Sequence, residues 1–504
     1  MLTFADPLRR ALQIAADRTA VIDGDRSLTY SQFNERCQRL AGGLYGLGLK
    51  AGDRVAILAG NSHVYLETYV GVPAAGLVVV PLNTRHAEPE LQYALEDSAT
   101  SVLITDRDPG VLAQAVGRVI RVGSEYEALL AGAKAQTLGE GITENTLAGL
   151  FYTGGTTGKS KGVMLSHRNL IANTYHWLTS APQYADDVML VMAPLFHAAG
   201  SNGVLASIWT GGVQITLAAF EPAAALNLIE KHRITVTLGV PTMLSALAEE
   251  QLVRARDVSA MRVIAHGGSP IATEVVRRTS MAFPGAELVH VYGATELSPL
   301  TTVLRHEQTW LDNDRARSCG QSIVGTDVRI LDTAGNELPR REVGEVVVRG
   351  PHVMLGYWNK PEQTASVLKE GSYWTGDLGF MDEGGYVYLV DRSKDMIVSG
   401  GENVYCTEVE EVLFKHPAVL EAAAFGVPDE KWGEAVYAVV VLRVQHSNVD
   451  PQDIIGFCRE HIAGYKVPKG IDIRQEPLPK SGPGKVLKRE LRAPFWEGRD
   501  RSVN

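Results

Sequence analysis

Residues 152–162 read Tyr152-Thr153-Gly154-Gly155-Thr156-Thr157-Gly158-Lys159-Ser160-Lys161-Gly162. Glycines let a backbone turn its N–H groups inward, while hydroxyls and ammoniums add donors and positive charge. Such a run suits a polyphosphate. It is a near miss for a Walker A loop: Gly158-Lys159-Ser160 fits the end, but Thr153 stands where the first glycine is required. Val163-Met164-Leu165-Ser166-His167 reads as strand and turn, not as the helix that a Walker loop opens. A plain glycine-rich hairpin is the rival reading, and the run alone does not separate the two.

Outward from this loop the chain alternates strands and helices. On the N-terminal side, residues 7–16 predict a helix, and 20–23 and 27–30 two strands. Ser31 is expected to cap a helix through Leu47, stopped by Gly48. Strands follow at 54–58, 78–82 and 101–105, with helices at 64–75 and 88–98. Continuous β-branched runs such as Val78-Val79-Val80 between helices indicate βαβ units and a buried parallel sheet. On the C-terminal side the pattern continues to about residue 296. Three strands there end in polar or glycine-rich turns: Ala193-Pro194-Leu195-Phe196-His197, Gly267-Gly268-Ser269-Pro270 and Tyr292-Gly293-Ala294-Thr295-Glu296. In α/β sheets ligands collect at the carboxyl ends of strands. Beyond Ser318 the segments 324–331, 344–349 and 386–390 alternate like antiparallel strands. A charged break, Asp391-Arg392-Ser393-Lys394-Asp395, precedes a small α+β pattern. The expected fold class is therefore α/β: a large N-terminal domain, residues 1–393, of parallel-type sheets plus a smaller antiparallel β region, followed by a small C-terminal α+β domain, residues 394–504.

The chain has 504 residues, 48 Lys+Arg against 58 Asp+Glu, and a formal charge of −10, which argues against a general nucleic-acid binder. Its four cysteines, Cys37, Cys319, Cys406 and Cys458, have no metal-type spacing and fit a reduced, cytoplasmic protein. The first ten residues lack a signal pattern, and no apolar run is long enough to span a bilayer. Peripheral membrane contact and oligomeric state, a homodimer included, stay open.

Taken in order, the loop, Pro194-Leu195-Phe196-His197, Gly267-Gly268-Ser269-Pro270, Tyr292-Gly293-Ala294-Thr295-Glu296, Tyr373-Trp374-Thr375-Gly376-Asp377, the break at 391–395, Gly400-Gly401-Glu402-Asn403 and Pro479-Lys480-Ser481-Gly482-Pro483-Gly484-Lys485 form one set. The set resembles the adenylate-forming superfamily of acyl-CoA synthetases, adenylation domains and luciferases, over nearly the whole chain. There are departures. Gly154-Gly155 replaces a usual Ser-Gly, Ser160-Lys161 a usual Pro-Lys, Cys406 a usual proline, and Val467 an arginine of some relatives.

The resemblance implies an ATP-dependent ligase that joins a carboxylic acid to coenzyme A through an acyl-AMP, with Mg²⁺. It implies Lys485 as the catalytic lysine between carboxylate and α-phosphate, Glu296 and Thr157 as magnesium ligands, and Thr295 as an α-phosphate donor. Thr153, Gly154, Gly155, Thr156, Thr157, Gly158 and Lys161 would cradle the triphosphate. Tyr292, Gly293, Ala294 and the backbone of Gly267, Gly268 and Ser269 would flank adenine. Asp377 would bind the ribose, with Arg392 beside it. Lys394 matches a hinge about which a mobile C-terminal domain rotates between adenylation and thioester formation. Gly400, Gly401, Trp432, Tyr465, Lys466 and Lys469 match the CoA surface, and His197, Gly200, Ser201 and Asn202 the acyl pocket. The segment after His197 holds small residues and no arginine or lysine to pair with a second carboxylate, so a dicarboxylate is disfavoured. Medium-to-long fatty acids are preferred to aryl or phenylpropenoic acids. An acyl-AMP ligase loading a carrier protein and a catalytically inactive binding protein are the competing readings.

Overall fold

The computed structural model describes residues 2–153, 160–269, 271–307, 314–392, 395–399, 402–429, 431–443, 446, 449–480 and 486–497, with the side chains of Asn202, Asp314, Asp391 and Arg392 outside that description. Gly154, Gly155, Thr156, Thr157, Gly158, Lys394, Gly400, Gly401 and Lys485 also lie outside the described residues.

Four sheets organise the described chain. The first runs Gly356–Tyr357, Lys161–Ser166, Leu147–Thr153, Val78–Pro81, Arg54–Leu58, Val102–Thr105, Arg118–Arg121. Its centre is parallel, as the β-branched runs require: Arg54, Val55, Ala56 and Ile57 pair with Val78, Val79, Val80 and Pro81. Its edge is not. Leu147–Thr153 and Lys161–Ser166 are antiparallel, with Phe151 opposite Val163 and Thr153 opposite Lys161. The glycine-rich run therefore joins the two arms of a hairpin.

The second sheet carries nine strands, from Gln321–Ser322 at one edge through Glu287–Tyr292, Val263–Gly267 and Val236–Gly239 to Arg26–Thr29 at the other. Helix His63–Ala74 is apolar and buried on nearly every side. One core cluster explains it: Tyr65, Leu66, Tyr69 and Val70 pack with Val55, Ile57 and Val79 of the first sheet and Val21 and Val191 of the second. Each such side chain withdrawn from water is worth about 1.5–3 kcal/mol. A third, antiparallel sheet holds Asp327–Leu331, Gly344–Arg349, Ser372–Met381 and Val387–Arg392. The fourth holds Glu402–Val404, Ile397–Ser399, Gly433–Leu442, Val419–Asp429 and Gly470–Arg474, backed by helices Cys406–Lys415 and Pro451–His461.

Local signals correct several boundaries. The helix expected to start at Ser31 is capped by Thr29, whose hydroxyl accepts from Gln32 N (3.2 Å) while Gln32 Oε1 accepts from Thr29 N (2.9 Å). Ser31 instead donates to Ala16 O, 3.0 Å. The turn expected at Ser166-His167 is the start of helix His167–Ser180, because Ser166 Oγ accepts from Asn169 N at 3.2 Å. Strand Arg118–Arg121 and helix Ser124–Gly132 went unassigned from sequence; the strand buries one residue and the helix two, which leaves little periodic signal.

Candidate active site

The strand ends and the C-terminal segment enclose a cleft of about 2070 Å³. Its walls include Thr153, Lys161, His197, Gly268, Ser269, Tyr292, Gly293, Ala294, Thr295, Glu296 and Asp377, so residues from five separate motifs meet at one cavity. Close backbone approach makes two of the glycines obligatory. A Cβ on Gly293 would lie 1.7 Å from Pro299 O, and one on Gly267 would lie 2.3 Å from Val291 O.

Tyr292 is the last residue of strand Glu287–Tyr292, and its hydroxyl donates to Asp377 Oδ2 at 2.7 Å. Burial, then the Asp377 charge, pushes the Tyr292 hydroxyl well above the usual tyrosine range, so it stays a donor. Asp377 is itself held: its N–H donates to Thr375 Oγ1 (3.0 Å), and Thr375 donates to Val346 O (2.8 Å). The preceding Gly376, at φ +71°, donates to Glu345 Oε1 at 2.8 Å. Arg392 pairs with Asp377 in the strand register, which puts the two backbones side by side. An aromatic ring and a carboxylate are thus fixed to one another at the cleft wall.

Glu296 sits one turn further on. Its Oε1 accepts from the Tyr357 hydroxyl at 2.8 Å, and the Lys161 ammonium lies 4.8 Å from the centroid of the Tyr357 ring. Sequence reasoning passed over Tyr357; the only trace was an apolar Gly356-Tyr357-Trp358 run between two loops. Among the described residues no cluster of three or more His, Cys, Asp or Glu side chains is arranged to hold a metal. A single carboxylate oxygen beside donors for phosphate does suit Mg²⁺, which keeps water and phosphate ligands in place of an all-protein cage.

His197, which also lines the cleft, is partly buried, and its Nε2, shielded from solvent, has no hydrogen-bond partner among the described residues. Burial first, then the neighbouring Arg85 and His86, lowers its pKa to about 3, so the ring is neutral at physiological pH. Phe196 packs on it with ring centroids 4.6 Å apart. Asn83, Arg85 and His86, from the loop after strand Val78–Pro81, line the same cleft. The segment after His197 itself carries no arginine or lysine, but Arg85, remote in sequence, lines the same cleft and acts on His197. Of the other acyl-pocket expectations, Ser201 is buried and donates to Ala198 O at 2.9 Å, and neither it nor Gly200 lines the cleft. A Cβ on Gly200 would lie 2.5 Å from Pro194 O, so that glycine serves close packing at the helix start.

Of the residues matched to a CoA surface, the described Trp432, Tyr465, Lys466 and Lys469 do not line the cleft. Trp432 and Tyr465 are 41% and 42% exposed. Lys466 is committed to Glu408, at 2.7 and 2.8 Å, while Lys469 is exposed. Val467, where an arginine was expected in some relatives, is buried in the core of the C-terminal sheet. Cys406 is buried and its thiol donates to Asp395 O at 3.1 Å, tying a helix start to the charged break.

Comparison with known proteins adds independent information. A family profile described as "AMP-binding enzyme" matches residues 8–358, and one described as "AMP-binding enzyme C-terminal domain" matches residues 408–485. A feruloyl-CoA synthase from Amycolatopsis sp. is 42% identical over 97% of this chain and 98% of its own length. A long-chain-fatty-acid–CoA ligase from Bacillus subtilis is 35% identical over 94% of this chain and 91% of its own. Among solved structures, ATP-bound MatB from Rhodopseudomonas palustris superposes with a TM-score of 0.88 at 31% identity, covering 97% of this chain and 99% of that one.

Proposed function

This chain belongs to the AMP-binding enzyme family, as an AMP-forming acyl-CoA synthetase, and on that premise we propose that it activates a phenylpropenoic (hydroxycinnamate-type) acid with ATP and transfers it to coenzyme A. The observation that carries the ligase reading is the meeting of Tyr292–Asp377, Glu296–Tyr357 and Lys161 in one cleft.

In the first half-reaction a carboxylate oxygen attacks the α-phosphorus, the bond to the β-phosphate oxygen breaks, and pyrophosphate leaves. Both reactants are anions, so aligned donors and cations lower the barrier. Thr153, the 154–158 loop and Lys161 hold the β- and γ-phosphates, and Thr295 donates to the α-phosphate. Lys485 bridges carboxylate and α-phosphate. Mg²⁺ held by Glu296 and Thr157 would neutralise phosphate charge. Tyr292 and the Gly267-Gly268-Ser269 and Gly293-Ala294 backbone flank the adenine. Asp377, with Arg392 beside it, takes the ribose hydroxyls. His197, neutral in the cleft, orients the acid.

In the second half-reaction the CoA sulfur attacks the acyl carbon and AMP leaves. Residues 394–504 form the mobile domain that turns about Lys394 against residues 1–393. It exchanges Lys485 for Gly400-Gly401 at the site, with Trp432, Tyr465 and Lys469 on the CoA nucleotide. Lys466 joins them only by giving up Glu408. With ATP and CoA as co-substrates, the reading puts the enzyme in the cytoplasm.

The preference for an aryl acid reverses the order read from sequence. The 42% identity to a feruloyl-CoA synthase outweighs the 35% identity to a long-chain ligase. A fatty acid is the second reading, carried by the Bacillus relative. A panel of carboxylic acids scored by CoA-dependent AMP formation decides. The aryl reading requires ferulate or a close analogue to exceed every C8–C18 fatty acid in kcat/KM, and the reverse order removes it. Acyl-AMP that persists with CoA present would instead identify a carrier-protein thiol as acceptor.

A further inference from the structure

We propose that Tyr357 is a positioning residue, which holds the Glu296 carboxylate in fixed register with the stem of the glycine-rich hairpin; the inference rests on the reading of Glu296 as a magnesium ligand. The segment 351–358 does the work as a strap between two parts of the cleft that are far apart in sequence. On one side it is stitched to the hairpin. Gly356 and Tyr357 pair antiparallel with Met164 and Val163, Leu355 N donates to Met164 O (2.9 Å), and Trp358 N donates to Gly162 O (2.8 Å). On the other side it is stitched to the Glu296 turn. Met354 N donates to Glu296 O at 2.9 Å, and the Tyr357 hydroxyl donates to Glu296 Oε1 at 2.8 Å.

The strap itself is anchored. Asn169 Nδ2 donates to the carbonyls of Pro351 and Val353, both at 2.8 Å, and Ser298 Oγ donates to the carbonyl of His352 at 2.8 Å. Tyr357 N donates to Thr364 Oγ1 at 2.9 Å. The Tyr357 ring is buried, with Lys161 over its face. The hydroxyl has a single proton to donate, and it goes to Glu296. A free glutamate samples many rotamers, and a cation must pay to order it. Here one carboxylate oxygen is tied before the cation arrives, while Lys161 and the hairpin stem hold their place relative to it through the same ring and the same strand.

The test compares Tyr357→Phe with Glu296→Gln in the full-length protein. Phenylalanine keeps the ring, its packing and the Lys161 contact, and loses only the hydroxyl. Losing a hydrogen bond to a charged group should raise the half-saturating Mg²⁺ for carboxylate-dependent pyrophosphate release by about 10–100-fold. The same factor should appear without turnover, as weaker Mn²⁺ binding to the enzyme–ATP complex measured by electron paramagnetic resonance with no acid present. KM for the acid and the thermal midpoint should hold. If Glu296→Gln weakens Mn²⁺ binding and Tyr357→Phe does not, the strap proposal is overturned and the magnesium reading stands. If Glu296→Gln changes nothing, both are overturned.

Discussion

The nucleotide and thiol sides of the candidate site are built differently. On the nucleotide side three candidate groups are each anchored by another residue: Tyr292 by Asp377, Asp377 by Thr375, Glu296 by Tyr357. On the thiol side the candidates Trp432, Tyr465 and Lys469 stand in solvent, and Lys466 is tied to a neighbouring carboxylate. The difference follows from the chemistry asked of each. Bringing a carboxylate onto a triphosphate needs charges fixed in advance, because reorganising them during the reaction would cost most of their benefit. Docking the nucleotide end of a long, flexible thiol needs only contact area and a few cations on an accessible surface.

The sharpest way to break this comparison is Lys485→Ala. Pyrophosphate release should fall by about 100–1000-fold, the scale for removing a pre-placed charge-stabilising donor. Thioester formation from supplied acyl-AMP should stay within about threefold. Equal loss in both half-reactions, measured by stopped-flow with each substrate pair, would sink the alternating-domain model.

Next in size is Asp377→Asn, which keeps the shape, removes the charge and weakens the Tyr292 anchor. KM for ATP should rise by about 10–100-fold, as for a hydrogen bond to a charged group, with KM for CoA unmoved. A comparable rise in both constants would mean that the two sides are not separate.

Acid should also tell the two sides apart. Burial, as the largest cause, lowers His290 from 6.5 to about 4, and His306 and His352 to about 3, so the fold holds these rings neutral. The folded pKa lies below the unfolded one. Their contribution is complete above about pH 6.5 and is lost as pH falls toward 4, when the unfolded chain takes up protons that the fold refuses. Each such ring should cost about 1.4 kcal/mol per pH unit in that window. The C-terminal histidines His416 and His461 are more exposed. Hydrogen exchange at pH 5 should therefore lose protection in the nine-stranded sheet before the C-terminal sheet. The opposite order would show that the buried histidines do not govern acid stability.

The smallest effect belongs to the exposed side. Trp432→Ala should raise KM for CoA by about threefold to tenfold, the worth of one stacking contact, with pyrophosphate release unchanged. No change in KM for CoA would move the nucleotide site away from this face.

The amino-acid order by itself determined most of the secondary structure, the α/β class and the family, because helix caps, β-branched runs and glycine turns act over a few residues. Val78-Val79-Val80 reads as a buried parallel strand without knowledge of its neighbours. The hairpin loop could be read as a phosphate cradle only through the motifs that follow it. Contacts between distant residues were decided by the tertiary structure alone. Tyr357 meets Glu296 across 61 positions, Tyr292 meets Asp377 across 85, and Arg85 acts on His197 from another strand's loop. No local pattern encodes such a meeting, since a hydroxyl finds its carboxylate only when two sheets and the strap between them have packed. That packing turns a list of motifs into a site with fixed charges.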